Sequence, residues 1–246
     1  MRQKLKALAS STVPDSLAAG FRKKRFTLFQ DLLASLGSSP VTILDVGGTQ
    51  EFWEVMGFAG APHRIIMLNL FEARVRHPNF TSLAGDARKL DGFADQSIDI
   101  VFSNSVIEHL STYENQQRMA DEIRRVGKNY FVQTPNFFFP IEPHFLCPFY
   151  HWLPFAAQRA LIRRVSLGNI TRKPSKEAAE KTLGEFRLLK KSEVKALFPD
   201  ATLHCEKMFG LTKSYIAIKA SRLAQPARDG SVTPAARFQP EHSTLI

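Results

Sequence analysis

Cysteine is scarce. The chain has two in 246 residues, Cys147 and Cys205, too few for a disulfide scaffold and matching no metal-ligand spacing. No run of about 18 uncharged apolar residues occurs, so no segment reads as a membrane-spanning helix. The opening residues, MRQKLKALASSTVPD, lack the long apolar centre of a signal peptide. These absences fit a reducing cytoplasm. Acidic residues are also few, 23 against 33 Lys and Arg, and the net charge is +10. The excess is concentrated: residues 1–36 carry seven basic and two acidic side chains, and 155–195 carry eleven and four. Such an imbalance suits an anionic partner, whether nucleic acid, lipid headgroups or a charged substrate; a plain basic surface would show the same count.

Two glycines are missing from ILDVGGTQEFW, residues 43–53. A dinucleotide fingerprint, G-x-G-x-x-G after a strand, would place its second and third glycines at Thr49 and Phe52. Glu51, at the start of the helix that follows, also repels a pyrophosphate. Both features argue against a nicotinamide dinucleotide and the oxidoreductase reading that goes with it.

What is present is a regular alternation. Residues 14–36 read as an amphipathic helix, with Phe21, Phe26, Phe29, Leu32, Leu33 and Leu36 at helical spacing, stopped by Gly37 to Pro40. Buried strands are expected at 41–46, 64–70, 80–86, 96–104 and 128–133, with helices at 51–58 and 113–126. This pace implies a parallel sheet in one large α/β domain. Residues 134–154, TPNFFFPIEPHFLCPFYHWLP, are rich in aromatics and prolines. Residues 155–183 look helical and basic, with a break at 168–174. A short helix at 191–198 and two strands at 201–209 and 213–220 follow. The tail 221–246, with Pro226, Pro234 and Pro240, reads as disordered.

The ends of the strands are polar. Strand one ends in Asp45, Gly47 and Gly48, where bare backbone can approach a ligand and a carboxylate can accept from an ammonium group. Strand two ends in Asn69, strand three in Gly85-Asp86-Ala87, strand four in Ser103-Asn104. Separate caps and turns would also account for each, but four in succession point to one ligand lying along the carboxyl edge.

These motifs resemble class I S-adenosylmethionine-dependent methyltransferases of the small "type 11" kind. The matching segments are ILDVGG (43–48), the Gly85-Asp86-Ala87 turn, QSIDIVFSNSVIEHL (96–110) and DEIRRVGKNYFVQTPN (121–136). The loop departs from the family's D-x-G-x-G-x-G, and Asn69 stands where an acidic residue is expected. The resemblance implies a Rossmann-like, seven-stranded, mostly parallel sheet with helices on both faces and a C-terminal antiparallel hairpin. It divides the chain into an N-terminal helical region (1–40), a methyltransferase domain (41–220) with a lid inserted at 134–183, and the tail. It implies that S-adenosyl-L-methionine is held by Asp45, Gly47 and Gly48 at its methionine part, Asn69 at the ribose and Asp86 with Ala87 at the adenine. Ser103 and Asn104 would close the site beneath the sulfonium.

Methyl transfer is an in-line displacement that depends on positioning, aided by a base for the acceptor proton. His109, Glu108, His144 and Glu142 are the candidates; Glu108 and His109 could equally cap the loop before the next helix. In some related ubiquinone-pathway O-methyltransferases a Glu-His pair here belongs to a three-ligand metal site whose other Glu stands three residues before the first; this chain has Ser105 there, so no metal is expected. The aromatic 134–154 segment could roof a small-molecule or lipid-like acceptor, pack as a plain lid, or rest on an anionic membrane with the basic residues 155–173 on its headgroups. The last arrangement would make the protein cytoplasmic but peripheral to the membrane. A non-catalytic module of the same fold is the alternative. The run FRKKRF (21–26) belongs to no nucleic-acid-binding module, so an RNA substrate is the weakest reading.

Overall fold

The computed structural model describes residues 17–221. The first sixteen residues and the tail from 222, with their expected roles, lie outside the described residues. Helix α1 (Leu17–Ala34) precedes strand β1 (Thr42–Val46), helix α2 (Gln50–Val55), and strands β2 (Arg64–Asn69), β3 (Phe80–Ala84) and β4 (Ile98–Asn104). Helix α3 (Tyr113–Val126) leads directly into β5 (Gly127–Pro135). After it come α4 (Phe155–Arg164), α5 (Lys176–Gly184), α6 (Lys191–Leu197), β6 (Thr202–Met208) and β7 (Leu211–Lys219). The seven strands form one sheet in the order β3-β2-β1-β4-β5-β7-β6. Strands β1 to β5 are parallel, and β7 runs antiparallel to both β5 and β6.

The apolar, β-branched runs become central strands because both their faces are covered. One face packs Leu44, Val101, Tyr130 and Val132 against Met119, Ile123 and Val126 of α3 and Val194 of α6. The other packs Ile43, Ile100, Phe102 and Phe131 against Phe26, Phe29 and Leu32 of α1 and Trp53 of α2. Phe29 is fully buried and touches Trp53, Phe102 and Phe131 edge-on, with ring centroids 5.1–5.9 Å away. Burying such a ring contributes about 2–3 kcal/mol. The amphipathic spacing read at 14–36 therefore places α1 on the sheet. Thr112 caps α3 by accepting from the Asn115 amide at 3.2 Å.

Residues 136–189 leave the sheet at the carboxyl end of β5 and return beside it, where Asn136 and Leu189 form a parallel bridge. The segment has a small core of its own: Phe145, Tyr150, Ile162, Leu167 and Ala179. Thr134 and Pro135 still belong to β5; beyond them the prolines keep the segment to 154 irregular apart from a 3-10 turn at Tyr150–Trp152. Among the described residues no helix is long and apolar enough to cross a membrane.

Candidate active site

Strand β1 delivers Asp45 to the carboxyl edge, where it is buried and accepts a 2.6 Å hydrogen bond from the Trp53 indole. Burial pushes the carboxyl up to about 7, and the indole bond only partly offsets this. The carboxylate folds back over Gly48, so a Cβ there would fall on its oxygen. Gly47 has φ +80°, and a Cβ on it would lie 2.5 Å from Val106 Cγ2. The D-x-G-G order is thus sterically required: one glycine for a left-handed turn, the other for the carboxylate. Asn69 braces the same loop, its Nδ2 donating to the Gly48 carbonyl at 2.8 Å.

A cleft of about 850 Å³ opens over this loop between α1 and α2. Asp45, Gly47, Gly48 and Asn104 line its floor with Phe52 and Phe102, and Arg22 and Phe26 of α1 form the opposite wall. Asn104 is held by Arg25, whose Nη1 donates to its Oδ1 at 2.5 Å and to Gln133 Oε1 at 3.0 Å. The same guanidinium pairs with buried Glu206 of β6 at 3.0 Å. Arg25 had been read only as part of a basic run. Its signal was its place four residues after Phe21 and four before Phe29, on the inward side of α1.

Asn69 and the other expected cofactor residues do not line the cleft. Ser103 is fully buried and donates to the Val46 carbonyl. Asp86 receives a two-pronged contact from Arg88, which holds its carboxyl below the usual range. Ala87 is half-buried against the α3-side core. Leu70 and Phe71, directly after Asn69, are 74% and 82% exposed, an apolar surface beside the β2 end that the sequence reading passed over.

The four acid–base candidates come together, on the other side of the edge. Glu108 is fully buried in a turn after β4. Its Oε2 accepts from Thr134 Oγ1 at 3.2 Å, while its Oε1 has no partner among the described residues. Thr134 shares the face of β5 that carries Tyr130 and Val132, the α3 side, whereas the cleft opens on the α1 side. Burial raises Glu108 to about 7. Glu142 accepts from His144 Nδ1 and from the backbone amides of His144 and Phe145, at 2.8 and 2.9 Å. His144 stacks on Phe186 at 4.1 Å and meets His109 edge-on at 4.9 Å. Burial pulls the His144 imidazole down, but Glu142 and Glu108 more than offset it and leave it raised. His109 is lowered, by burial and then by His144. Among the described residues no group of three or more His, Cys, Asp or Glu is arranged to hold a metal ion.

Residues 48–130 match the family model described as "Methyltransferase domain". The uncharacterized protein Rv1509 of Mycobacterium tuberculosis (strain ATCC 25618 / H37Rv) is 34% identical over 58 residues, which is 24% of this chain and 20% of that protein. The chain thus spans about a fifth of this curated relative. Among solved structures, a protein from Rhodobacter sphaeroides named for zinc-dependent alcohol dehydrogenases aligns at a TM-score of 0.51 with 11% identity, over 78% of this chain and 89% of its own. It shares the fold alone. A SAM-dependent methyltransferase from Aquifex aeolicus aligns at 0.45 with 13% identity, over 89% of this chain and 97% of its own.

Proposed function

We propose that the chain, whose residues 48–130 match the methyltransferase-domain model, transfers a methyl group from S-adenosylmethionine to a small-molecule or lipid-like acceptor. The observation that carries this reading is the buried Asp45 carboxylate folded over Gly48 at the floor of an 850 Å³ cleft. The residues fit the cofactor. Asp45 is held by an indole rather than a cation, which leaves it free to take an ammonium group. The bare backbone of Gly47 and Gly48 admits the methionine part. Asn69 keeps its Oδ1 for a ribose hydroxyl, Leu70 and Phe71 give the adenine an apolar face, and Asp86 with the Ala87 backbone meets its polar edge. Ser103 and Asn104 lie below the reacting centre. When bound, the cofactor supplies an activated methyl on a sulfonium.

The chain's own contribution is to position, to exclude water and to take a proton. Alignment of nucleophile and methyl can be worth about 7–11 kcal/mol. The 136–189 segment roofs the acceptor and keeps it dry. His144 is the best-oriented base among the candidates: Glu142 accepts from Nδ1–H, which leaves Nε2 to take a proton from an acceptor that reaches across the carboxyl edge from the cleft on the α1 side to this cluster on the α3 side. His109 and Phe186 fix the ring's plane. Glu108, fully buried behind the Glu142–His144 pair, acts on it through charge and helps to keep His144 raised.

One observation favours a second reading, a non-catalytic module of this fold: Asp45, Asn69 and Asp86 are each already engaged by a neighbour. Calorimetric titration with S-adenosylmethionine and S-adenosylhomocysteine separates the two. Binding that Asp45→Ala and Asp86→Ala both weaken is the expected result. No binding of either ligand by the parent chain overturns the enzyme reading.

A further inference from the structure

The carboxyl edge of the sheet is apolar where it meets solvent. Of the exposed large hydrophobics, Phe138, Phe149, Trp152, Leu153 and Phe155 belong to the insertion after β5. Phe149 is 54% exposed, Trp152 43% and Phe155 51%, values that leave half of each large apolar side chain in water. The Phe149 and Trp152 rings touch at 5.2 Å. Trp152 also donates its indole N–H to the Phe137 carbonyl, so the ring is held in place. Phe149 sits at φ +60°, a backbone state that costs a non-glycine residue energy and here holds an aromatic ring outward. Phe209 and Leu211, at the β6–β7 turn on the same edge, are also exposed.

The charge beside this patch has one sign. Residues 137–176 carry Arg159, Arg163, Arg164, Arg172, Lys173 and Lys176 against a single acid, Glu142. Glu142 is buried and occupied by His144. Arg159 is neutralised by Glu180 of α5. On α4, Phe155, Ala156, Ala160, Arg163 and Arg164 are exposed, while Ile162 is buried in the insertion's core. The helix therefore lies with its basic end and its leading phenylalanine both turned to solvent. Exposed aromatic rings in the same insertion as arginines that have no acidic partner among the described residues are the chemistry of an interfacial anchor, in which the rings enter the headgroup boundary and the cations meet lipid phosphates.

We propose that this face, Phe138 to Lys176, docks on an anionic lipid bilayer. The docking needs no cofactor. It places the insertion, and the Glu108–His144 cluster under it, at the membrane surface, so that a lipid-like acceptor reaches the site without crossing water. That last step rests on the methyl-transfer reading; the docking itself does not.

The test is sedimentation of the full chain with vesicles of phosphatidylcholine alone and of phosphatidylcholine with phosphatidylglycerol in equal parts. The chain should pellet with the anionic vesicles only and be released by salt. Arg163→Gln with Arg164→Gln should weaken partitioning about 25-fold, roughly fivefold for each cation removed. Trp152→Ser with Phe155→Ser should abolish pelleting, with circular dichroism and the melting temperature unchanged. Vesicle binding that survives both double variants, or no binding to anionic vesicles at low salt, overturns the proposal. So does a parent chain that sediments as a dimer which the Trp152→Ser/Phe155→Ser variant dissociates, since the face would then belong to a second copy. Asp45→Ala is the reference: it should lose the cofactor and keep the vesicles, so failure of one reading is distinguishable from failure of the other.

Discussion

Cofactor affinity should depend on pH through Asp45. Its carboxyl is raised from the usual 3.8 to about 7, chiefly because it is buried. A raised carboxyl contributes stability that is fully present below about pH 4 and lost as pH rises through about 7. The free protein therefore holds a strained, ionised Asp45 above neutrality. An ammonium group entering the cleft reverses the balance, because it favours the charged form. Binding at acid pH must first remove the proton. Between pH 5 and 7 the ammonium group of a free amino acid stays charged, so within this window the proton lost on binding comes from the protein. With a free-state value of about 7, affinity at pH 5 should be about two orders of magnitude weaker than the plateau above pH 7, a tenfold change for each unit. The assay is calorimetry with S-adenosylhomocysteine at pH 5, 6, 7 and 8, in two buffers of different ionisation enthalpy. Asp45→Asn should bind more weakly at neutral pH and lose the slope. It should also melt above the parent at pH 8, where holding the buried carboxyl ionised costs at most about 4 kcal/mol. Equal affinity at pH 5 and 8, or the same slope in Asp45→Asn, would refute the reasoning.

Gly48→Ala should reduce cofactor affinity by more than about tenfold without unfolding the chain, because the atoms nearest the new methyl all belong to the Asp45 carboxylate; calorimetry beside a thermal melt checks both. Arg25→Met removes the main partner of Glu206, whose side chain is 6% exposed, and leaves it Lys213 at 3.5 Å and the Ser214 hydroxyl at 2.6 Å, so it should cost about 2 kcal/mol in urea unfolding, less than a buried carboxylate left wholly unpaired. Glu142→Gln should lower kcat about 10²-fold and leave the cofactor Kd alone, while His144→Asn should also flatten the acid limb of the pH–rate profile, both read with labelled cofactor once an acceptor is in hand.

Local pattern made the sheet readable. In β1, β2, β4 and β5 an apolar stretch (Ile43–Leu44, Ile65–Leu68, Ile100–Phe102, Tyr130–Val132) gives way to a polar residue at the carboxyl edge, because a strand covered on both faces carries polar side chains mainly towards its ends, whereas β3, at the edge of the sheet, mixes in Thr81 and Ser82. The boundaries of α3 were readable too, fixed by Thr112 in front and by Gly127, where a Cβ would strike Val101 and the Ile123 carbonyl. The gathering of Glu108, His109, Glu142 and His144 was suggested only by their places after consecutive strands. The hydrogen bond that orients His144 follows from a turn in which Glu142 accepts two backbone amides. The Arg25 network was not readable, since it joins residues up to 181 positions apart and nothing in β6 marks Glu206 as inward-facing.

That network answers a question left by the altered glycine loop. In a D-x-G-G-T loop the third small residue of the common pattern is lost, and Thr49 and Gln50 must be fixed by other means. Gln50 is: it donates to the Arg74 carbonyl and accepts from the Arg76 amide, tying the start of α2 to the loop after β2. Arg76 in turn pairs with Glu51 and Glu54 of α2. These pairs are exposed and individually weak, but they converge on one short helix. The opposite wall is held by Arg25, which joins α1 to Asn104, Gln133 and Glu206 at once. Bonds of this kind around a desolvated charge are worth more than exposed ones, because every partner would otherwise be left unpaired in a dry place. The cleft is therefore braced from both sides by side chains rather than by the loop's own glycines, which explains how a shortened glycine pattern can still present Asp45 and a bare backbone to a ligand.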